Sequence, residues 1–138
     1  MDQDITDTAR GRLARPTGPV LRFIVPMKPV PKERPRFAQH TYTATRTRRF
    51  EEAVAWYARI AQQEAGWDML EGPVLLDVVF CKPPARADLS NLVKSLEDAI
   101  QGVLVKDDVQ IIGEALWREP TGPPSLLVEL IPLEVDHA

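Results

Sequence analysis

Apolar and polar residues alternate at positions 21–25 (Leu-Arg-Phe-Ile-Val), which predicts a first β-strand stopped by Pro26. From residue 47 the spacing changes. Phe50, Val54, Tyr57 and Ala61 recur at helical intervals, Trp56 and Ile60 widen the stripe, and Gly66 supplies a stop, so a helix is predicted over 47–65. Residues 74–81 are apolar except for Asp77 and read as a buried strand. A second helix is predicted over 89–101, with Leu89, Leu92, Val93, Leu96, Ala99, Ile100 and Val103 on its core side and Gly102 ending it. Two further strands follow, 109–117 and 126–131. The turn-rich segment 119–124 predicts that they form a long-looped hairpin. The expected fold is α/β: a single small domain with one mixed sheet and the order β-α-β-α-β-β. Trp56, Trp67 and Leu70 serve either the core, the simpler reading, or an interface between subunits.

The remaining segments lack a period. Residues 1–19 are polar, contain Pro16, Gly18 and Pro19, and are expected to form a disordered N-terminal arm. That leaves 20–133 as the folded domain and 134–138 as a C-terminal tail. Pro29, Pro31 and Pro35 exclude a helix or a central strand over 28–46, so this segment is expected to be a long extended loop. Such loops inside compact domains are usually functional or disordered.

Composition narrows the class. A chain of 138 residues with 44% hydrophobic and 27% charged residues can bury a core without staples. The single cysteine, Cys81, excludes an intramolecular disulfide and a cysteine-based zinc site, pointing to a reducing compartment. No apolar run spans a bilayer, and the polar start lacks the features of a signal peptide. A cytoplasmic protein with no membrane partner and no small-molecule cofactor is expected.

The net charge of −3 conceals an asymmetry. Residues 28–49 hold seven Lys and Arg against Glu33, a local charge of +6, whereas residues 68–138 carry −8. Local field decides where a polyanion docks. Lys32, Arg34, Arg36, Arg46, Arg48 and Arg49 are candidate phosphate contacts, as are Lys82 and Arg86 in the stiff Lys-Pro-Pro-Ala-Arg loop. Arg48 and Arg49 fall in the first turn of the predicted helix, where the macrodipole disfavours cations by about 0.3–1 kcal/mol each. A phosphate-binding helix start tolerates them better than a purely structural one. Phe37, His40 and Tyr42 interleave the basic residues and suit stacking on unpaired bases. Core packing is the competing reading for Phe37.

The acidic half supplies Asp88, Asp98, Asp107, Asp108 and Glu114, with Ser90, Asn91 and Lys94 on the second predicted helix. Each has an ordinary structural reading. Asp88 suits a helix N-cap, Lys94 and Asp98 suit an exposed i,i+4 pair, and Asp107 and Asp108 suit a turn before a strand. Taken together beside a basic arm, they suggest a nuclease using a hard divalent cation, whose shell takes one or two protein carboxylates plus water and phosphate oxygens.

In order along the chain stand Asp-Leu-Ser-Asn-Leu-Val-Lys (88–94), Leu-Glu-Asp-Ala-Ile-Gln-Gly (96–102) and Lys-Asp-Asp-Val-Gln-Ile (106–111). Upstream lie Pro-Lys-Glu-Arg-Pro-Arg-Phe (31–37) and Thr-Tyr-Thr-Ala-Thr-Arg (41–46). Over residues 21–131 the pattern resembles the RusA family of Holliday-junction resolvases. The resemblance implies a homodimer that binds branched, four-way DNA and cuts two opposing strands with Mg²⁺ or Mn²⁺. It implies catalytic roles for Asp88, Lys94, Asp107 and Asp108, with Asp88, Asp107 and Asp108 as the metal set and Ser90, Asn91 and Asp98 in support. One departure stands out: Ser90 occupies a position where the family motif commonly has a second aspartate. A junction- or branch-binding protein with weak or no cleavage is therefore the alternative, and a basic-armed module for RNA or single strands is a third reading.

Overall fold

The computed structural model describes residues 14–32 and 40–135, with the side chains of residues 40–44 left aside. Its elements are β1 (Ala14–Pro16), β2 (Leu21–Val25), α1 (His40–Ala65), β3 (Val74–Cys81), α2 (Leu89–Ile100), a 3₁₀ turn (Asp108–Gln110), β4 (Ile111–Glu119) and β5 (Ser125–Val135). The fold is α/β, with five strands in one mixed sheet and both helices packed on one face of it.

β3 runs through the middle, antiparallel to β5 and parallel to β4, while β1 and β2 both pair with the far edge of β5. The expected β4–β5 hairpin is therefore wrong: β3 lies between those two strands. The reason lies in composition. β3 is the most apolar strand and gains most from neighbours on both edges, whereas β4 carries Glu114, Arg118 and Glu119 and tolerates an edge. Adjacent parallel strands require a crossover connection, and α2 provides it.

Three boundaries also differ from the sequence expectation. Residues 14–16 do not belong to a disordered arm, because they pair with Leu133, Glu134 and Val135. The same pairing makes residues 134 and 135 part of β5 rather than a tail. α1 begins at His40, seven residues before the expected start. Proline forbids a helix only near residues 29–35, and once the apolar stripe from Phe50 holds a nucleus, helix propagates back at little cost. Arg48 and Arg49 thus occupy the third turn, and the proposed conflict with the macrodipole at the helix start falls away.

The core lies between the helices and the inner sheet face. Phe50, Val54 and Ala58 of α1 and Leu92, Leu96 and Ile100 of α2 cover Leu76, Val78 and Phe80 of β3 and Leu126, Val128 and Leu130 of β5. Trp67 and Leu70 pack against this core, whereas Trp56 is exposed and stacks edge-on against Tyr57 at 5.0 Å. Cys81 is buried and reduced. Although α1 is long, no helix among the described residues is both long and apolar enough to cross a membrane.

Among the described residues, the opposite sheet face carries no helix. On it the register aligns Ile24, Leu127, Val79 and Trp117 in one row across four strands. Ile24 and Trp117 are each 58% exposed and Leu127 39%. A solvated sheet face is ordinarily polar; this one has an apolar stripe.

Between α2 and β4 the chain returns along residues 101–110. Gly102, at φ +87°, makes the turn out of the helix. Gln110 then fixes the return. Its Nε2 donates to the carbonyls of Leu70 and Gly72, both at 2.9 Å, and its Oε1 accepts from the N–H groups of Lys106 at 2.8 Å and Asp107 at 2.9 Å. Replacing Gln110 by Ala strands four backbone groups. The expected loss is about 1–3 kcal/mol of unfolding free energy in urea titration, and an unchanged midpoint would contradict it.

Candidate active site between α2 and β4

Asp88 caps α2 in an extended conformation. Its Oδ1 accepts from the Asn91 N–H at 2.8 Å and from the Ser90 hydroxyl at 2.9 Å. Ser90, Asn91 and Asp88 are all exposed. The capping reading of Asp88 is thus satisfied, and Ser90 contributes a donor to that carboxylate. Arg118 of β4 pins the preceding residue through Nη2 to the Ala87 carbonyl at 2.5 Å. Upstream, Lys82 adopts a left-handed φ of 55° before Pro83, a conformation that costs an L-residue about 1–2 kcal/mol. Its N–H bonds to Glu119 and its carbonyl accepts from Lys28 Nζ at 3.0 Å. The loop that delivers Asp88 is therefore tied to β4 at both ends.

Asp107 caps the 3₁₀ turn, accepting from the Val109 N–H at 3.1 Å within a reciprocal box with Gln110. Its carboxylate has the turn role that the residue type suggests. Asp108 points elsewhere, its Oδ2 lying 3.7 Å from Lys94 Nζ. Lys94 also meets Asp98 Oδ1 at 3.3 Å, and Asp98 Oδ2 meets Lys32 Nζ at 3.0 Å. Asp98 first, and Asp108 after it, hold the Lys94 ammonium above its usual range. Asp108 thus returns to α2 within one chain. It meets the helix at Lys94, about 9 Å of helical rise beyond Asp88.

Two further acids lie where α2 meets β4. Glu114 lies on the helix-facing row of β4 with Leu116 and Arg118, and it bonds to Glu97 of α2. Burial, the Glu114 hydrogen bond and charge, and Asp108 push the Glu97 carboxyl up to about 8, against the opposing pull of Lys94. Glu97 was not among the residues picked out from sequence. Its sequence signals are its place one turn after Lys94 and within the 96–102 motif, and neither singles it out until β4 brings Glu114 alongside.

Of the candidate phosphate contacts, Arg46, Arg48, Arg49, Lys82 and Arg86 are exposed. Lys32 is already engaged by Glu51 at 2.9 Å and Asp98. Arg34, Arg36 and Phe37 lie outside the described residues, as do the side chains of His40 and Tyr42.

Among the described residues, no three His, Cys, Asp or Glu side chains are grouped to hold a cation. The carboxylates stand instead as separate stations: Asp88 at the helix entry, Asp108 beside Lys94, and the Glu97–Glu114 pair. Such a donor set suits Mg²⁺, which takes one or two protein carboxylates and completes its shell with water and phosphate. It does not make a closed protein cage.

The Glu97 proton has a consequence for stability. Because folding raises this pKa, the folded state keeps a proton that the unfolded chain releases in the ordinary carboxylate range. The pair's contribution is complete below that range and is lost as pH rises towards about 8. Glu97→Gln keeps a neutral partner for Glu114 and removes the titration. The fall in Tm between about pH 5 and pH 9 should be smaller in the variant than in the parent. Parallel Tm curves would refute the assignment.

A family model described as Endodeoxyribonuclease RusA matches residues 26–131. The match takes in α1, the loop that delivers Asp88, α2, the 3₁₀ turn and β4. Comparison with curated proteins gives no match. Since the family model covers most of the chain, including α2, the 3₁₀ turn and β4, this chain belongs to the RusA endodeoxyribonuclease family.

Proposed function

We propose that the protein resolves Holliday junctions in the cytoplasm, cutting two opposing strands of branched DNA as a homodimer, with Mg²⁺ or Mn²⁺ as cofactor, in recombination and repair. The observation that carries this reading is Lys94, held between Asp98 and Asp108 on the helix that Asp88 caps, within a chain of the RusA family.

In this reading Asp88 and Asp108, each at its own station and with Asp107 adjacent to the second, would hold one or two cations against the scissile phosphate. When bound, the metal lowers the pKa of the attacking water and offsets charge at the scissile phosphate. Lys94 presents a permanently charged ammonium towards the oxygen on which charge develops. Arg46, Arg48 and Arg49 on α1, with Lys82 and Arg86 ahead of Asp88, grip backbone phosphates and give affinity without base readout. Arg34 and Arg36 extend that set along the chain.

Ser90 favours a second reading, a branch-binding protein that cuts weakly or not at all. Its hydroxyl bonds to Asp88 where a second carboxylate is common in the family. Incubation with a synthetic four-way junction in Mg²⁺ and in Mn²⁺ separates the two: paired nicks support the resolvase, and tight binding without nicks in either metal supports the binder. In the cutting enzyme, Asp88→Asn and Asp108→Asn should each abolish nicking while junction affinity is kept. Parent-like cleavage in both variants would remove the metal assignment.

The dimer is supported by the apolar row Ile24, Leu127, Val79 and Trp117 on the sheet face that no helix of the described residues covers. A second copy related by a two-fold axis sets the same row against itself, the isologous arrangement that a pseudo-two-fold junction calls for. Trp117→Lys should leave a folded monomer in sedimentation velocity where the parent is a dimer. A parent that sediments as a monomer, or a Trp117→Lys variant that remains dimeric, would defeat this interface.

A further inference from the structure

Five charges of alternating sign run from α1 across α2 to the 3₁₀ turn: Glu51, Lys32, Asp98, Lys94 and Asp108. Asp98 stands in the middle and divides its two oxygens, giving Oδ2 to Lys32 at 3.0 Å and Oδ1 to Lys94 at 3.3 Å. Lys32 is itself fixed. Its backbone N–H donates to the Asn91 carbonyl at 2.9 Å, and its ammonium is held by Glu51 at 2.9 Å. A carboxylate clamped through one oxygen has its plane set, so the other oxygen is presented in a fixed direction. The Lys94 ammonium is thereby held from two sides, by Asp98 on its own helix and by Asp108 across the crevice.

We infer that Asp98, braced by Lys32, is a positioning residue that sets the Lys94 ammonium for its work on the DNA, and that Lys32 is a brace rather than a phosphate contact. The inference rests on the reading of Lys94 given under Proposed function. The alternative is a decorative surface pair. Lys94 is 47% exposed on its side chain, and exposed i,i+4 pairs contribute little to stability. That weakness helps the test, because stability and cleavage should come apart.

Asp98→Asn keeps the size and removes the charge. With a four-way junction as substrate, its single-turnover cleavage should fall about 10- to 100-fold, the scale of a misplaced reacting group. Junction Kd and Tm should stay close to the parent values. Asp98→Glu, which restores the charge, should recover most of the lost rate. Lys32→Met should slow cleavage in the same direction while leaving the salt dependence of junction binding unchanged.

A second measurement does not need cleavage. In nitrogen-15 spectra of the lysine ammonium groups, the Lys94 signal, assigned by its loss in Lys94→Met, should be protected from exchange in the parent and broadened away in Asp98→Asn. A Lys94 signal unaltered by Asp98→Asn overturns the inference, as does a parent-like cleavage rate in that variant when Lys94→Met is impaired. Should Lys94→Met itself cleave at the parent rate, the functional reading of Lys94 fails, and the ammonium signal still decides whether Asp98 holds it.

Discussion

Two neighbouring strands that run in the same direction cannot be joined by a tight turn, so the pairing of β3 with β4 obliges the chain to cross from one end of the sheet to the other. α2 is that crossing, and the placement of the candidate site follows from it. Asp88 comes where the chain leaves β3 and enters the helix. Asp108 comes where the chain has left the helix and is about to enter β4. Lys94 lies between them on α2 and reaches Asp108.

The edge position of β4 gives the crevice its chemistry. Elsewhere the helix-facing row of the sheet is apolar, as with Leu76, Val78 and Phe80 of β3. On β4 the same row reads Glu114, Leu116 and Arg118, so the strand meets α2 through a carboxylate at one end and the loop before α2 through a guanidinium at the other. Arg118 fixes the approach to Asp88. Glu114 bonds to Glu97, whose carboxyl is pushed up by burial, by Glu114 and by Asp108. A central strand could not carry these groups without burying them, and burial of unpaired charge is costly.

Several of the candidate site residues have a structural role in the folded chain. Asp88 caps α2 and Asp107 caps the 3₁₀ turn, so the ordinary structural readings of both are fulfilled in the folded chain. Capping does not use up a carboxylate, which has more acceptor positions than one or two N–H groups occupy. The structural role therefore leaves acceptor positions open for the proposed one. Lys32 moves in the opposite direction: its charge suggested a phosphate contact, but Glu51 and Asp98 engage it.

The sequence by itself determined the elements and the family. Residue pattern places β2, β3, α2 and β5, and for α2 the core face as well, because burial imposes its repeat directly on residue type. The ordered motifs at 88–94, 96–102 and 106–111 identify the family, and they hold Asp88, Lys94 and Asp108 without reference to any fold. Only the tertiary structure decided which strands adjoin, that α1 starts at His40, and that residues 14–16 complete the edge of β5. It alone brought Glu97 to Glu114 and linked Glu51, Lys32, Asp98, Lys94 and Asp108. The physical reason is range: a residue's periodicity and capping chemistry depend on its near neighbours, whereas strand order and ion pairs between elements depend on how the whole sheet shares out its apolar surface.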